Sequence, residues 1–127
     1  MQDLVLIQRN AAVVEMFAGT PDGERKAAFQ TYWDVENDLI ASGELVDSKA
    51  VDETTQRLVR RSPDGPVVTD RPPPETHDAV SGYSLVDVTD EERAVAIAAR
   101  FPETAVEGGM RVARVLTAED FARVMEA

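Results

Sequence analysis

Four consecutive apolar residues near the N-terminus, Leu4-Val5-Leu6-Ile7, set the first constraint on the fold. Side chains on a strand alternate between its two faces. A strand that is apolar at every position therefore puts Leu4 and Leu6 on one face and Val5 and Ile7 on the other, and both faces need cover. Helices of the same chain can cover one face. A second copy of the chain is the economical cover for the other.

Two helices are marked by their own ends. Thr20-Pro21 reads as an N-cap followed by Pro at the first helical position. From there Phe29, Tyr32, Trp33, Leu39 and Ile40 recur at helical spacing as far as Ser42, where Gly43 suits a left-handed stop. Thr89-Asp90-Glu91-Glu92 reads as a capping box with Thr89 at the N-cap. It opens a helix that runs to about Arg100 and stops at Phe101-Pro102. Residues 11–19 can add one or two helical turns before Gly19.

Between these helices lie β-prone runs. Leu45 to Val51 and Thr54 to Arg60 are expected to pair as a hairpin. Ser62-Pro63-Asp64-Gly65-Pro66 is a turn by composition. Val67-Val68-Thr69, Gly82 to Val88 and Met110 to Leu116 complete the strands. Thr117 caps a short tail helix, at about 117–125, with Glu119 and Asp120 in its first turn. Arg71-Pro72-Pro73-Pro74 has three successive residues without an N–H and must be a stiff loop. The order predicts one domain over residues 1–127 of α+β class. Its antiparallel sheet carries helices on one face, best matched by the ferredoxin-like split βαβ.

Composition narrows function mainly by exclusion. Thirteen basic against 24 acidic side chains leave a formal charge of −11, which disfavours nucleic acid and anionic membrane surfaces as partners. The absence of cysteine removes disulfides, thiolate metal sites and cysteine nucleophiles. With one histidine and no ligand-spaced motif, no metal or other cofactor is expected. The N-terminus lacks the basic and apolar regions of a signal peptide, and no run approaches membrane-spanning length, so the expected location is the cytoplasm.

One twenty-residue segment carries more. Thr69 to Val88, with Asp70, Pro72, Glu75, Thr76, Gly82, Tyr83, Leu85 and Asp87 as its fixed points, resembles the signature of the YCII-related family. It is most similar to the DGPF-type branch, whose segment runs roughly T-D-G-P-F-x-E-T-K-E-x-L-G-G-Y-x-L-I-D-V. Weaker similarity covers the opening strand, Ala41-Ser42-Gly43-Glu44-Leu45 and Gly108-Gly109 with Arg114. The naming D-G-P-F here reads Asp70-Arg71-Pro72-Pro73, which implies a differently shaped loop. The resemblance implies a homodimer of ferredoxin-like subunits with facing sheets, a dimeric α/β barrel. It also implies acid–base chemistry of lyase or isomerase type on a small organic acid or aromatic ligand. A histidine that relatives carry on the first long helix falls close to Tyr32 in this chain. Members of the branch are often found near sigma-factor-type regulators, so a non-enzymatic interaction module, or a dimer without retained activity, is the alternative.

Candidate site residues cluster in and around the triproline loop. Asp70 and His77 are the candidate proton-transfer groups, and Tyr32, Arg71, Glu75 and Tyr83 the candidate ligand contacts. His77 can equally be an exposed loop histidine. Asp70 can be a turn cap, Arg71 can simply pair with Asp70 or Glu75, and Tyr32 and Tyr83 can be core aromatics.

Overall fold

The computed structural model describes residues 1–70 and 78–126. Six strands and four helices follow in the order β1 (Gln2–Arg9), α1 (Ala11–Ala18), α2 (Asp22–Ser42), β2 (Leu45–Ala50), β3 (Arg57–Ser62), β4 (Gly65–Asp70), β5 (Ala79–Asp87), α3 (Glu91–Ala98), β6 (Met110–Arg114) and α4 (Ala118–Glu126), with a 3₁₀ turn at Pro102–Ala105. Strands β2, β5, β1 and β6 form one sheet in that order, every pair antiparallel. This is the expected α+β, ferredoxin-like arrangement. The sheet is open, with β2 and β6 as its edges, and no barrel closes among the described residues.

The strand register sorts side chains onto two faces. Val5 lies opposite Ser84 and Val112, and Ile7 opposite Gly82 and Met110. On that face Val5 and Val86 pack with Val35 and Leu39 of α2, Ala94 and Ile97 of α3, and Phe101. Leu4 lies opposite Leu85 and Ala113, and Leu6 opposite Tyr83. Leu4, Leu6 and Leu85 are only half-buried and stand outside the core cluster. The double-faced apolar strand is therefore covered on one side and open on the other.

Several local expectations are corrected. Leu45 to Val51 does not pair with Thr54 to Arg60. Leu45 instead lies opposite Val86, which places it against the core. The arginine-rich β3 has no buried residue and pairs with β4 as a separate two-stranded ribbon, Val59 opposite Val68. A tight turn at Pro63-Asp64 joins the two, and Gly65 at φ 116° takes the backbone conformation that a side chain would resist. Thr20 does not cap α2. Its hydroxyl donates to the Met16 carbonyl at 2.7 Å and closes α1, while α2 begins behind Pro21 with no side-chain cap. At α3 the cap is Asp90 rather than Thr89, the Asp90 carboxylate accepting from the Arg93 N–H at 2.9 Å. The tail helix starts as expected, with Thr117 and Asp120 exchanging hydrogen bonds of 3.0 and 3.1 Å. No helix among the described residues is long and apolar enough to cross a membrane.

Candidate functional site

Helices α1 and α2 do not close onto the β2–β5 half of the sheet, and a cavity of about 950 Å³ remains between them. The sequence makes its walls aromatic. Tyr32 and Trp33 follow Phe29 by three and four residues on α2, which puts each beside Phe29 on the helix surface. The Phe17 ring stacks on Phe29 within 4° at 6.3 Å, Phe29 meets Tyr32 at 6.1 Å, and Tyr32 meets Phe101 at 5.9 Å. On the sheet side, a Cβ at Gly82 would crowd the Lys49 carbonyl at 3.1 Å and stand close to the Ile7 side chain, so the missing side chain keeps this surface open.

At the inner end of this space sits a carboxyl group. The 3₁₀ turn that follows α3 carries Glu103 beneath Tyr32, and Glu103 is only 4% exposed. The Tyr32 hydroxyl donates to Glu103 Oε2, while Oε1 is buried without a hydrogen-bond partner. Gly109 makes the placement possible, because a Cβ there would overlap the Glu103 carbonyl. Burial pushes the Glu103 carboxyl above the usual carboxylate range, against the Tyr32 hydrogen bond and the nearby Arg9 charge, which pull it down. Burial also raises the Tyr32 phenol, and the Glu103 hydrogen bond raises it further. Tyr32 is thus held as a proton donor. Glu103 is held where it can keep or release a proton closer to neutrality than an exposed glutamate can.

A second charged pair borders the same space. Arg9, at the end of β1, reaches Glu53 through Nε at 2.9 Å, and its guanidinium lies 6.0 Å from the centre of the Phe17 ring. Among the described residues, no group of three or more carboxylate or imidazole side chains is disposed to hold a metal ion.

Of the sequence-derived candidates, Tyr32 and Tyr83 both border the cavity. Their hydroxyls serve different partners. That of Tyr83 donates to Asp47 Oδ2 at 2.9 Å, and the register with Leu6 puts the Tyr83 ring on the open face of the sheet. Asp70 closes β4, is exposed, pairs with Arg57 at 2.9 Å and does not border the cavity. Arg71, Glu75 and His77 lie outside the described residues. Glu103, Arg9 and Glu53 were not singled out from sequence. Nothing local distinguishes Glu103 from the other acidic residues. The one trace was Gly108-Gly109, which marks a close backbone approach rather than a phosphate cradle.

An open four-stranded ferredoxin-like sheet, with an aromatic cavity under its first long helix and a buried Tyr–Glu pair bordering it, defines a small α+β protein with one well-formed cavity among the described residues. The model of the YCII-related domain matches residues 1–119, and the chain belongs to that family. The match stops inside the first turn of α4, so most of that helix lies beyond the family domain. Comparison with curated proteins gave no match.

Proposed function

We propose that this protein binds a small, flat, largely apolar molecule in the cavity under α2 and moves a proton on it through Glu103 and Tyr32. The observation that carries this reading is the Glu103 carboxyl. It is almost fully buried, it borders a 950 Å³ cavity, and one of its oxygens has no partner. A buried carboxylate oxygen without a partner costs free energy in a purely structural role, about 1–3 kcal/mol. A ligand hydrogen would satisfy it. With its carboxyl held high, Glu103 can accept a proton from an acidified C–H or return one to a neighbouring atom. The Tyr32 O–H donates to the Glu103 carboxylate before it takes up the proton and again after it returns one. That division of labour suits an isomerase or lyase acting beside a carbonyl. Tyr32 occupies the neighbourhood where the resemblance places a family histidine, so a phenol hydrogen-bonded to a carboxyl takes the place of an imidazole.

The proposed proton-transfer pair is thus Glu103 and Tyr32, of which Tyr32 is a candidate that the sequence also offers. The assembly we propose is the DGPF-type homodimer. The half-buried Leu4, Leu6 and Leu85 on the open face support it, because an apolar sheet face of one chain is matched by the same face of another.

A thermal-shift screen of small aromatic and unsaturated compounds, acidic and neutral, tests the binding claim. Hits are expected to raise the melting temperature of the native protein, and any turnover found with them to be lost in Glu103→Gln while binding persists. Turnover that survives Glu103→Gln would place the chemistry elsewhere.

A further inference from the structure

The cavity lies in a protein with nearly twice as many acidic as basic side chains, yet among the described residues three cations border it: Arg9, Arg25 and Lys49. The Nη2 of Arg25 and the ammonium of Lys49 are already committed, although Arg25 Nε is buried without a partner. Arg25 donates through Nη2 to the carbonyls of Phe17 and Thr20 at 3.2 and 3.1 Å, which ties the end of α1 to α2. Lys49 lies 2.9 Å from Asp47 on the open face of the sheet. Arg9 differs. Its contact with Glu53 is through Nε at 2.9 Å, and among the described residues neither of its two Nη groups donates a hydrogen bond. A guanidinium has five N–H donors in a fixed plane, so Glu53 orients this one without satisfying it.

Arg9 is also in the right place. It ends β1 next to the strand residues that face the helices, its guanidinium lies near one face of Phe17, and its charge is felt by both Tyr32 and Glu103. A group held by its Nη atoms would sit between the aromatic walls and the buried Tyr–Glu pair. Resting on the cavity as the ligand site, we infer that Arg9 is its anion receptor and that the ligand is a conjugated or aromatic carboxylate, its carboxylate on the two Nη groups and its flat body against Phe17, Phe29 and Trp33. A planar fork matches the two oxygens of a carboxylate, which a lysine ammonium cannot do. Pairing with the guanidinium would also offset the charge that reaches this carboxylate when a C–H conjugated with it loses its proton. That C–H is the atom Glu103 would act on.

Trp33 is the only tryptophan and borders the cavity, so its indole N–H gives a single NMR signal that reports occupancy. The test titrates ¹⁵N-labelled native protein and Arg9→Gln with 2-naphthoate and with 2-naphthamide, which have the same flat body and differ in charge. In the native protein the acid is expected to bind roughly tenfold or more tighter than the amide, the scale of one charge-assisted hydrogen-bonded pair. In Arg9→Gln the two affinities should converge, and Arg9→Lys should recover part of the preference. Equal affinities in the native protein, or a preference that survives Arg9→Gln, would overturn the role of Arg9 while leaving the cavity as a binding site. If neither compound moves the Trp33 signal, both the role of Arg9 and the aromatic-ligand site are overturned.

Discussion

At the scale of single residues, Tyr32 and Glu103 make the most exposed claim about energetics. Glu103 keeps its proton in the folded protein at a pH where the unfolded chain, near its ordinary value of 4.5, has lost it. The folded state then binds more protons than the unfolded one, so stability falls as pH rises from about 4.5 through the raised value and levels off above it. Glu103→Gln is neutral in both states and should lose that slope. Urea denaturation of both proteins between pH 4 and 8 measures it, and equal slopes would contradict the assignment. Glu44 behaves oppositely in a separate window. Arg93 grips it with two hydrogen bonds of 2.8 and 2.7 Å and holds it down at about 2, so its contribution is present above 4.5 and lost on acidification toward 2. Tyr32→Phe removes the one side-chain partner of the buried carboxyl. It should destabilise the protein by about 1–3 kcal/mol in equilibrium unfolding.

At the scale of elements, the 3₁₀ turn and β6 are locked together through Gly109. Gly109→Ala would force the Glu103 carbonyl away, and a cost of roughly 1–3 kcal/mol is expected, with loss of ligand response even where the variant folds. Chemical denaturation and the ligand titration together check this, and an unaltered response would mean that the turn adapts without moving the carboxyl. This coupling also shows why the site was only partly legible in the sequence. Tyr32 lies on a helix whose periodicity announces itself, so its wall of the cavity could be anticipated. Glu103 and Arg9 are brought to that wall by contacts between distant segments, Glu103 against Tyr32 of α2 and β1 against β5. Spacing along the chain does not encode such pairings. The helices were legible because each is bounded by local signals, and the α+β class followed from the number and type of elements. Strand partners were not. Proximity favoured β2 with β3, and burial of Leu45 beside Val86 decided otherwise.

At the scale of the whole molecule, the open sheet face and α4 are the surfaces the fold leaves without cover. Phe121, Val124 and Met125 line one side of α4 and are all exposed. If the open face is the dimer interface, Leu85→Glu should convert the protein to a monomer in light scattering at micromolar concentration while the isolated fold persists by circular dichroism. An interface of the standard size, about 1,600 Å², would not tolerate a charge near its middle. A native protein that is already monomeric would remove the interface itself. The sheet has a further consequence, in time rather than in space. Strand β1 lies between β5 and β6, so Leu4 must find Leu85 and Ala113, partners made only when most of the chain exists. During synthesis the most apolar strand is therefore the first to emerge and the last to be paired on both edges. The helices and the β3–β4 ribbon can form from local contacts, but the sheet waits for closures spanning most of the chain, which slow folding. The same Leu-Val-Leu-Ile run that dictates the architecture is thus the segment a nascent chain must keep from its neighbours.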